Sequence, residues 1–243
     1  MAIQSRPPGI LLTRPEAQSR RFAAELRQRF SDVPVIVSPL MTPKYLRPTI
    51  PERNWSAAIF TSETAVLSAQ RIFADLKAPP IRAFCVGDHT AQVAEHADFL
   101  TLSADGGAAS LIALIKQEVN TGPMLYLHGR ETRGDIENQL SLAGIETFSA
   151  ISYAQEPQPL TDEAVDILHS LAQVIAPIFS PRTGSIFAAE CVRIRATAKL
   201  SIVAISGAAA APFASIDMTV CLRPTASAMM EAITLRLTSL LNP

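Results

Sequence analysis

Ile59-Phe60-Thr61-Ser62-Glu63-Thr64 recurs 119 residues further on as Ile178-Phe179-Ser180-Pro181-Arg182-Thr183. A weaker match at the same spacing joins Val86-Gly87-Asp88-His89-Thr90-Ala91 to Ile205-Ser206-Gly207-Ala208-Ala209-Ala210. Each copy has the pattern of an apolar strand, a turn of small or hydroxyl residues, and the start of a helix. Two matches at one offset predict a duplicated strand-turn-helix unit, and therefore two similar α/β lobes.

Composition points to a folded protein in a reducing compartment. The 243 residues are 48% hydrophobic and 18% charged, which suits buried sheets and excludes a disordered chain. A net charge of −1 argues against nucleic-acid or membrane-surface partners. The odd number of cysteines, Cys85, Cys191 and Cys221, indicates buried thiols, and Met1–Arg6 shows no signal pattern. The expected location is therefore cytoplasmic, and the four histidines show no metal-ligand spacing.

Short apolar runs alternate with helical patterns along the chain, which predicts parallel α/β units. Predicted strands are Ile10–Thr13, Val33–Val37, Ala57–Phe60, Ala83–Val86, Phe99–Leu102, Met124–Leu127 and Phe148–Ser152. Helices are predicted over residues 16–30 and 133–143, after Ser62, Asp88 and Gly107, after the Ser180–Thr183 turn, after Gly207, and over residues 226–237.

Prolines indicate where the chain crosses between lobes. Four of them cluster between Pro39 and Pro51, and Pro157 and Pro159 follow about one repeat later. The fold class predicted is α/β, with two flavodoxin-like parallel-sheet lobes joined by a two-stranded linker. One lobe would combine residues 1–37 with 161–243, the other would be 52–150, and the linkers would be 38–51 and 151–160.

The turns at the carboxyl ends of parallel strands are the expected ligand site of such a sheet. They hold hydroxyls, glycines and arginines: Arg14, Thr61, Ser62, Gly87, Thr90, Gly129, Arg130, Ser180, Arg182 and Ser206. Helix N-termini and arginines there suit a polyanion, because both donate to carboxylates. A plainer interpretation stays open, in which Thr61, Ser62, Asp88 and Ser180 only cap helices and the arginines are solvated.

Several catalytic classes lack their sequence signals. No dinucleotide or P-loop glycine motif follows a strand, and no G-x-S-x-G elbow is present. His89 is interpreted as an exposed turn residue, and Asp162-Glu163 as the acidic first turn of a surface helix. Tyr153 ends a predicted strand at the return crossing, so it is either a cover over the hinge or a catalytic phenol.

These turns together resemble the uroporphyrinogen-III synthase family. The resemblance rests on Leu11-Leu12-Thr13-Arg14-Pro15, Phe60-Thr61-Ser62, Val86-Gly87-x-x-Thr90-Ala91, Gly106-Gly107, Tyr153 and Phe179-Ser180-Pro181, which span nearly the whole chain. It implies a cofactor-independent lyase that cyclises hydroxymethylbilane to uroporphyrinogen III with inversion of ring D and loss of water. Nothing in the sequence demands a partner chain, so a monomer is expected, and its substrate would be handed over by the preceding deaminase.

The resemblance assigns roles to particular residues. Tyr153 matches the tyrosine proposed to help the hydroxyl depart as a general acid. Thr61, Ser62 and Thr90 match positions that line the cleft from one lobe, and Arg14 and Ser180 match positions on the other. Arg130 and Arg182 are added here from their turn position and charge.

One turn departs from the family pattern. The family's second V/I-G-x-x-T-A turn usually retains a threonine, whereas Ser206-Gly207-Ala208-Ala209-Ala210 has none. This loss motivates one alternative, a non-catalytic two-lobed module that binds a tetrapyrrole or another anion. An unrelated small-molecule transferase is the other alternative, and the missing nucleotide motifs argue against it.

Overall fold

The computed structural model describes residues 8–104, 106–119, 122–132, 134–170 and 173–241. Arg133, the predicted first residue of one helix, lies outside these ranges, as does the Met1–Arg6 segment. The described chain divides into two compact units. Unit 1 is Met1–Thr42 with Pro157–Pro243, and unit 2 is Pro43–Glu156. The assignment of residues 38–51 and 151–160 as inter-lobe linkers stays a prediction.

Strands and helices alternate through most of the chain. In chain order they are β1 (Gly9–Leu12), α1 (Glu16–Arg29), β2 (Val35–Val37), β3 (Met41–Tyr45), β4 (Ala57–Phe60), α2 (Glu63–Phe73), β5 (Arg82–Cys85), α3 (Asp88–Glu95), β6 (Leu100–Ser103), α4 (Ala108–Glu118), β7 (Met124–Gly129), α5 (Ile136–Leu142), β8 (Thr147–Pro157), α6 (Asp162–His169), β9 (Gln173–Ile178), α7 (Pro181–Arg193), β10 (Lys199–Ala204), α8 (Gly207–Ala210), a 3-10 turn (Ala211–Phe213), β11 (Asp217–Val220) and α9 (Ala226–Leu241).

Unit 1 contains a five-stranded sheet in the order β2-β1-β9-β10-β11, whose neighbouring strands pair in parallel. Numbered within the unit, this is the order 2-1-3-4-5 of flavodoxin-like folds. The direction of strand succession reverses between β1 and β9. Ligands of open α/β sheets bind at such a reversal, beyond the carboxyl ends of the strands.

Unit 2 contains the six-stranded sheet β3-β8-β7-β4-β5-β6. Strands β4 to β8, numbered within the unit, follow the order 3-2-1-4-5, and their pairs are parallel. This order differs from the predicted flavodoxin-like order 2-1-3-4-5, because β6 pairs with β5 at the edge of the sheet. The direction in which successive strands are added reverses between β4 and β7. The expectation of an α/β fold with parallel sheets is confirmed.

Alternating side chains bury both faces of each sheet under helices. In unit 2, Ala58 and Phe60 pack under α2 and α3, while Ala57 and Ile59 pack under α4 and α5. Unit 1 has the same layering, with α1 and α9 on one face and α6, α7 and α8 on the other. Near-continuous apolar strands are typical of parallel sheets covered on both sides.

The chain also forms two strands that sequence did not predict as such, β3 and β11. Both strands lie at sheet edges. An edge strand tolerates a proline such as Pro43 of β3, because the missing N–H can face away from the sheet. β8 runs to Pro157, so Tyr153 lies inside a strand and not at its end as predicted. Within the described residues, no helix is long and apolar enough to cross a membrane.

Candidate functional site

The strand reversal of unit 2 brings together residues from two distant parts of the sequence. β4 ends at Phe60, so Thr61 and Ser62 follow its carboxyl end. β7, which pairs with β4, ends at Gly129, and Arg130 follows. β8 lies on the other side of β7 and carries Tyr153. These predicted site residues are therefore neighbours at one edge of one sheet.

Ser62 contacts the Tyr153 phenol. Its Oγ lies 2.9 Å from the Tyr153 Oη. The same Oγ accepts a hydrogen bond of 3.1 Å from the backbone N–H of Ala65, which makes Ser62 the N-cap of α2. A serine cap supports the helix end, and here it also fixes the hydroxyl against the phenol.

A bulge in β8 puts Tyr153 on the face where Ser62 lies. In the β7–β8 ladder His128 pairs with Ile151 and Gly129 pairs with Tyr153, so Ser152 is the additional residue. Phe148, Ala150 and Tyr153 all belong to the cluster under α2 and α3. Strict alternation from Ala150 would place residue 152 on that face, so the bulge re-aims the tyrosine.

Gly129 makes room for the tyrosine ring. A Cβ built at this position would lie 2.7 Å from the Tyr153 Cζ and 2.9 Å from its Oη. Contacts under 3.0 Å do not occur for real Cβ atoms, so any other residue at position 129 would displace the ring. The backbone N–H of Arg130 donates to the Tyr153 carbonyl at 2.9 Å, which ties the two strand ends together.

A second polar row lies on the opposite face of the same strand ends. The Thr61 Oγ1 lies 3.4 Å from the Tyr126 Oη, and the rings of Tyr126 and His128 are stacked at 4.7 Å between centroids. His128 Nε2 lies 2.8 Å from the Ser149 Oγ, and His128 Nδ1 lies 2.7 Å from the Gly129 carbonyl oxygen. We call Thr61, Tyr126, His128 and Ser149 the polar row.

Both tyrosines are held in the neutral form. Burial raises the pKa of Tyr153 above its usual value; the Ser62 hydrogen bond opposes the shift, and Glu131 adds to it. Burial likewise raises the pKa of Tyr126, opposed by Thr61 and reinforced by Tyr153. A neutral phenol is a proton donor, so the site carries two donors at neutral pH.

Gly87 and Thr90 follow β5, the next strand of the sheet. Gly87 is the N-cap of α3 and offers no side-chain cap, and Thr90 is buried in the first turn of that helix. Asp88, which sequence allowed as a cap, is instead the first helical residue, and its Oδ1 accepts a hydrogen bond from Ser103. His89 is exposed as predicted, but it lies in the first turn of α3 and not in the turn before the helix; its Nε2 lies 3.1 Å from the Glu63 Oε1.

Arg14 in unit 1 follows β1 and lies against an aromatic ring. Its guanidinium carbon is 4.0 Å from the centre of the Phe179 ring, and its Nη2 donates to the Gln18 side chain at 2.9 Å. Cation–π stacking fixes the plane of a guanidinium. Thr13, the residue before it, is fully buried, and its Oγ1 has no hydrogen-bond partner among the described residues.

Ser180 and Ser206 follow the neighbouring strands β9 and β10. Ser180 Oγ accepts from the Thr183 N–H at 3.1 Å and donates to the Thr183 hydroxyl at 2.9 Å, and Ser206 Oγ accepts from the Ala209 N–H at 3.3 Å. Both are N-caps, a role that the plainer interpretation allowed for Ser180 and did not consider for Ser206. Arg182 is exposed in the first turn of α7, and Arg130 is exposed at the end of β7.

The predicted site residues thus form one set in each unit. Unit 1 holds Arg14, Ser180, Arg182 and Ser206, and unit 2 holds Thr61, Ser62, Gly87, Thr90, Gly129, Arg130 and Tyr153. Across the described ranges, no group of three or more His, Cys, Asp or Glu side chains is placed to hold a metal ion.

Sequence reasoning missed Tyr126, His128 and Ser149. Tyr126 and His128 are two residues apart near the end of β7, so strand alternation alone places them on one face. That signal was present in the sequence. The approach of Ser149 depends on the β7–β8 register, which the sequence does not state.

Comparisons with known proteins agree with the α/β fold. The fold and the candidate site place the protein in the class of parallel α/β proteins with a polar site at the carboxyl ends of the strands. The family model described as uroporphyrinogen-III synthase HemD matches residues 20–231. A sequence search of curated proteins found no significant match.

Two solved structures are similar to this chain. Uroporphyrinogen-III synthetase from Helicobacter pylori is 18% identical, with a TM-score of 0.61, over 94% of this chain and 100% of its own. A mutant uroporphyrinogen III synthase from Thermus thermophilus is 12% identical, with a TM-score of 0.46, over 95% and 99%. The first likeness supports the fold.

The chain belongs to the uroporphyrinogen-III synthase family, because the family model covers most of its length. Members of this family are cyclising lyases of tetrapyrrole biosynthesis. The function is therefore the cyclisation of hydroxymethylbilane to uroporphyrinogen III, with inversion of ring D and loss of water.

Proposed function

We propose that Tyr153 is the general acid of this reaction and that a hydrogen bond from Ser62 orients the Tyr153 hydroxyl proton toward the substrate. The observation that carries this role is the 2.9 Å contact between the Ser62 Oγ and the Tyr153 Oη. Ser62 already accepts a hydrogen bond from the Ala65 N–H. Its own hydrogen is therefore available to the phenol oxygen, which leaves the Tyr153 O–H to donate to the leaving hydroxyl of ring A.

The proposed steps conserve protons. Tyr153 protonates the hydroxyl as the carbon–oxygen bond breaks, so water leaves and ring A, which keeps its N–H, becomes an electrophilic azafulvenium cation. The Ser62 hydroxyl stabilises the phenolate that remains. Ring D attacks through its substituted α-carbon, and the spiro intermediate fragments and recloses through the unsubstituted α-carbon. That carbon then loses its hydrogen as a proton, which restores the phenol.

Binding of the substrate is proposed to involve the strand-end residues of both units. Hydroxymethylbilane carries eight carboxylates, and each charge-assisted hydrogen bond contributes about 1.5–3 kcal/mol. Arg14, stacked on Phe179, supports an oriented donor in unit 1. The N-terminus of α3 at Gly87 lacks a side-chain cap, and so its N–H groups suit a carboxylate in unit 2. We propose that the units act as two lobes joined through residues 38–51 and 151–160.

The remaining expectations are proposals of the same kind. We infer that the chain acts as a monomer and takes hydroxymethylbilane from the preceding deaminase. We also infer a cytoplasmic location, which is supported by three free cysteines, Cys85, Cys191 and Cys221.

The test replaces one phenol at a time. Tyr153→Phe keeps the ring and removes the acid, and we expect kcat to fall by about 10²–10⁴-fold, the usual contribution of a general acid. Tyr45→Phe is the matched control, because that tyrosine lies in β3 under the Arg71 guanidinium and should keep its activity. Unchanged turnover in Tyr153→Phe would remove Tyr153 from its role. Tight binding of the product by a wild-type protein without turnover would instead favour the non-catalytic module.

A further inference from the structure

Apart from Thr61, which is a proposed substrate contact, the polar row is not used by the mechanism above. It lies at the same strand ends as Ser62 and Tyr153 but on the face covered by α4 and α5. Tyr126 has only 4% of its surface exposed. Such a phenol is buried too deeply to serve as a broad contact surface for substrate. Its hydroxyl nevertheless reaches Thr61, a predicted substrate contact that is only half-buried.

We propose that Tyr126 is a positioning residue, which donates its hydrogen bond to Thr61 and so turns the Thr61 hydroxyl proton toward a carboxylate of the substrate. This inference rests on the proposed function of Thr61 as a substrate contact.

The direction of the hydrogen bond follows from the chemistry of the two groups. A hydroxyl has one proton to donate, and an ionised carboxylate only accepts. If Thr61 donated to Tyr126, it would have no proton left for the substrate. If Tyr126 donates, the Thr61 oxygen is satisfied as an acceptor and its proton is free. The oxygen–oxygen distance of 3.4 Å is long, and contacts of this kind tighten once substrate is bound.

His128 and Ser149 hold Tyr126 in place. The His128 ring lies against the Tyr126 ring with 33° between their planes. His128 Nδ1 lies against a carbonyl oxygen, which only accepts, so this nitrogen carries the proton. Nε2 then accepts from the Ser149 hydroxyl. Both nitrogens of a neutral imidazole are thereby satisfied, and the ring is fixed as one wall for the phenol.

The test is a double-mutant cycle with Tyr126→Phe and Thr61→Val, in which both substitutions keep the approximate side-chain volume. Steady-state kinetics with hydroxymethylbilane would give KM and kcat for wild type, each single variant and the double variant. We expect Tyr126→Phe to raise KM about three- to tenfold and to leave kcat within about twofold, because a ground-state contact is weakened. Thr61→Val should raise KM at least as much, and the double variant should equal Thr61→Val alone.

The same measurements can overturn the inference. A multiplicative effect of the two substitutions would mean that Tyr126 does not act through Thr61. An unchanged KM in Tyr126→Phe, or a loss confined to kcat, would also overturn the positioning role. Tyr45→Phe should keep both constants, and thermal unfolding of each variant separates a kinetic effect from unfolding. A wild type that makes no isomer III would overturn the proposed function as well, whereas an active wild type with a silent Tyr126→Phe overturns only this inference.

Discussion

The Ser62 hydroxyl oxygen lies 2.9 Å from the phenol oxygen of Tyr153, although 91 residues separate the two in sequence. Ser62 is also the N-cap of α2, where it accepts from Ala65. One side chain therefore ends a helix and contacts the proposed acid. This double role means that an effect on stability and an effect on catalysis have to be separated by experiment.

Ser62→Ala should lower both stability and kcat. Loss of the cap costs about 1 kcal/mol, and loss of the hydroxyl removes a hydrogen bond from the phenolate that forms as Tyr153 gives up its proton. Thr161→Ala is the matched control, since Thr161 caps α6 through Ala164 at 3.3 Å and is not a site residue. It should lose similar stability in urea unfolding and keep its kcat. Equal kcat in both variants would show that Ser62 only caps.

Gly129→Ala should displace the Tyr153 ring, because the new Cβ would lie 2.7 Å from the ring Cζ. Displacement of a catalytic group by about 1 Å can cost about 10²-fold in rate. In a Tyr153→Ala background the same substitution should have no further effect on kcat, because the ring it would displace is gone. A further loss in that background would mean that Gly129 acts on something other than the tyrosine.

Arg14→Gln should raise KM about 10- to 100-fold, the equivalent of one lost charge-assisted hydrogen bond. Arg20→Gln is a nearby control in α1, since Arg20 is exposed and paired with Glu16 at 2.5 Å. Initial rates over a range of hydroxymethylbilane concentrations would measure both constants. A KM shift of equal size in the two variants would indicate a general effect of charge, and Arg14 would lose its specific role.

Because two thiols are buried, we predict that the free energy of unfolding falls at alkaline pH. Burial raises the pKa of Cys85 and of Cys191 from 9.0 to about 12. The unfolded chain therefore releases these protons near pH 9, while the folded chain retains them. The free energy of unfolding should be unaffected by the thiols below pH 9 and should fall as pH rises from 9 toward 12. The slope is about 1.4 kcal/mol per pH unit for each thiol.

Urea unfolding between pH 8 and pH 10.5 would measure this slope. Cys85→Ala should make it shallower by one proton. Cys221→Ala is a weaker test, because burial raises that pKa as well but its side chain is only half-buried. A slope that Cys85→Ala leaves unchanged would show that this thiol already ionises in the folded protein.

Periodicity predicted the elements whose ends coincide with a change of residue type. Ala57–Phe60 is a strand with the predicted bounds, because four buried apolar residues stop at two hydroxyls. β11 was missed, since Asp217–Val220 is a mostly exposed edge strand of four residues, and its alternation of polar and apolar residues is too short to stand out. β3 was missed because its proline indicates a crossing as readily as an edge strand.

The site was predictable as a set of turns but not as a geometry. Thr61, Ser62 and Arg130 follow strand ends, which sequence can locate. The contact of Tyr153 with Ser62 depends on the single additional residue Ser152 in the β7–β8 ladder, and a register shift of this kind leaves no signal in one sequence. Gly129 was selected as a substrate contact, whereas its close approach to the tyrosine ring gives it a steric role that only coordinates reveal.

The most direct measurement is the isomer composition of the product. Freshly prepared hydroxymethylbilane is incubated with the protein, the products are oxidised, and the type I and type III isomers are separated. We predict that the wild type gives predominantly isomer III and that Tyr153→Phe shifts the product toward isomer I. Isomer I alone from the wild-type protein, at the level formed without protein, would contradict this prediction.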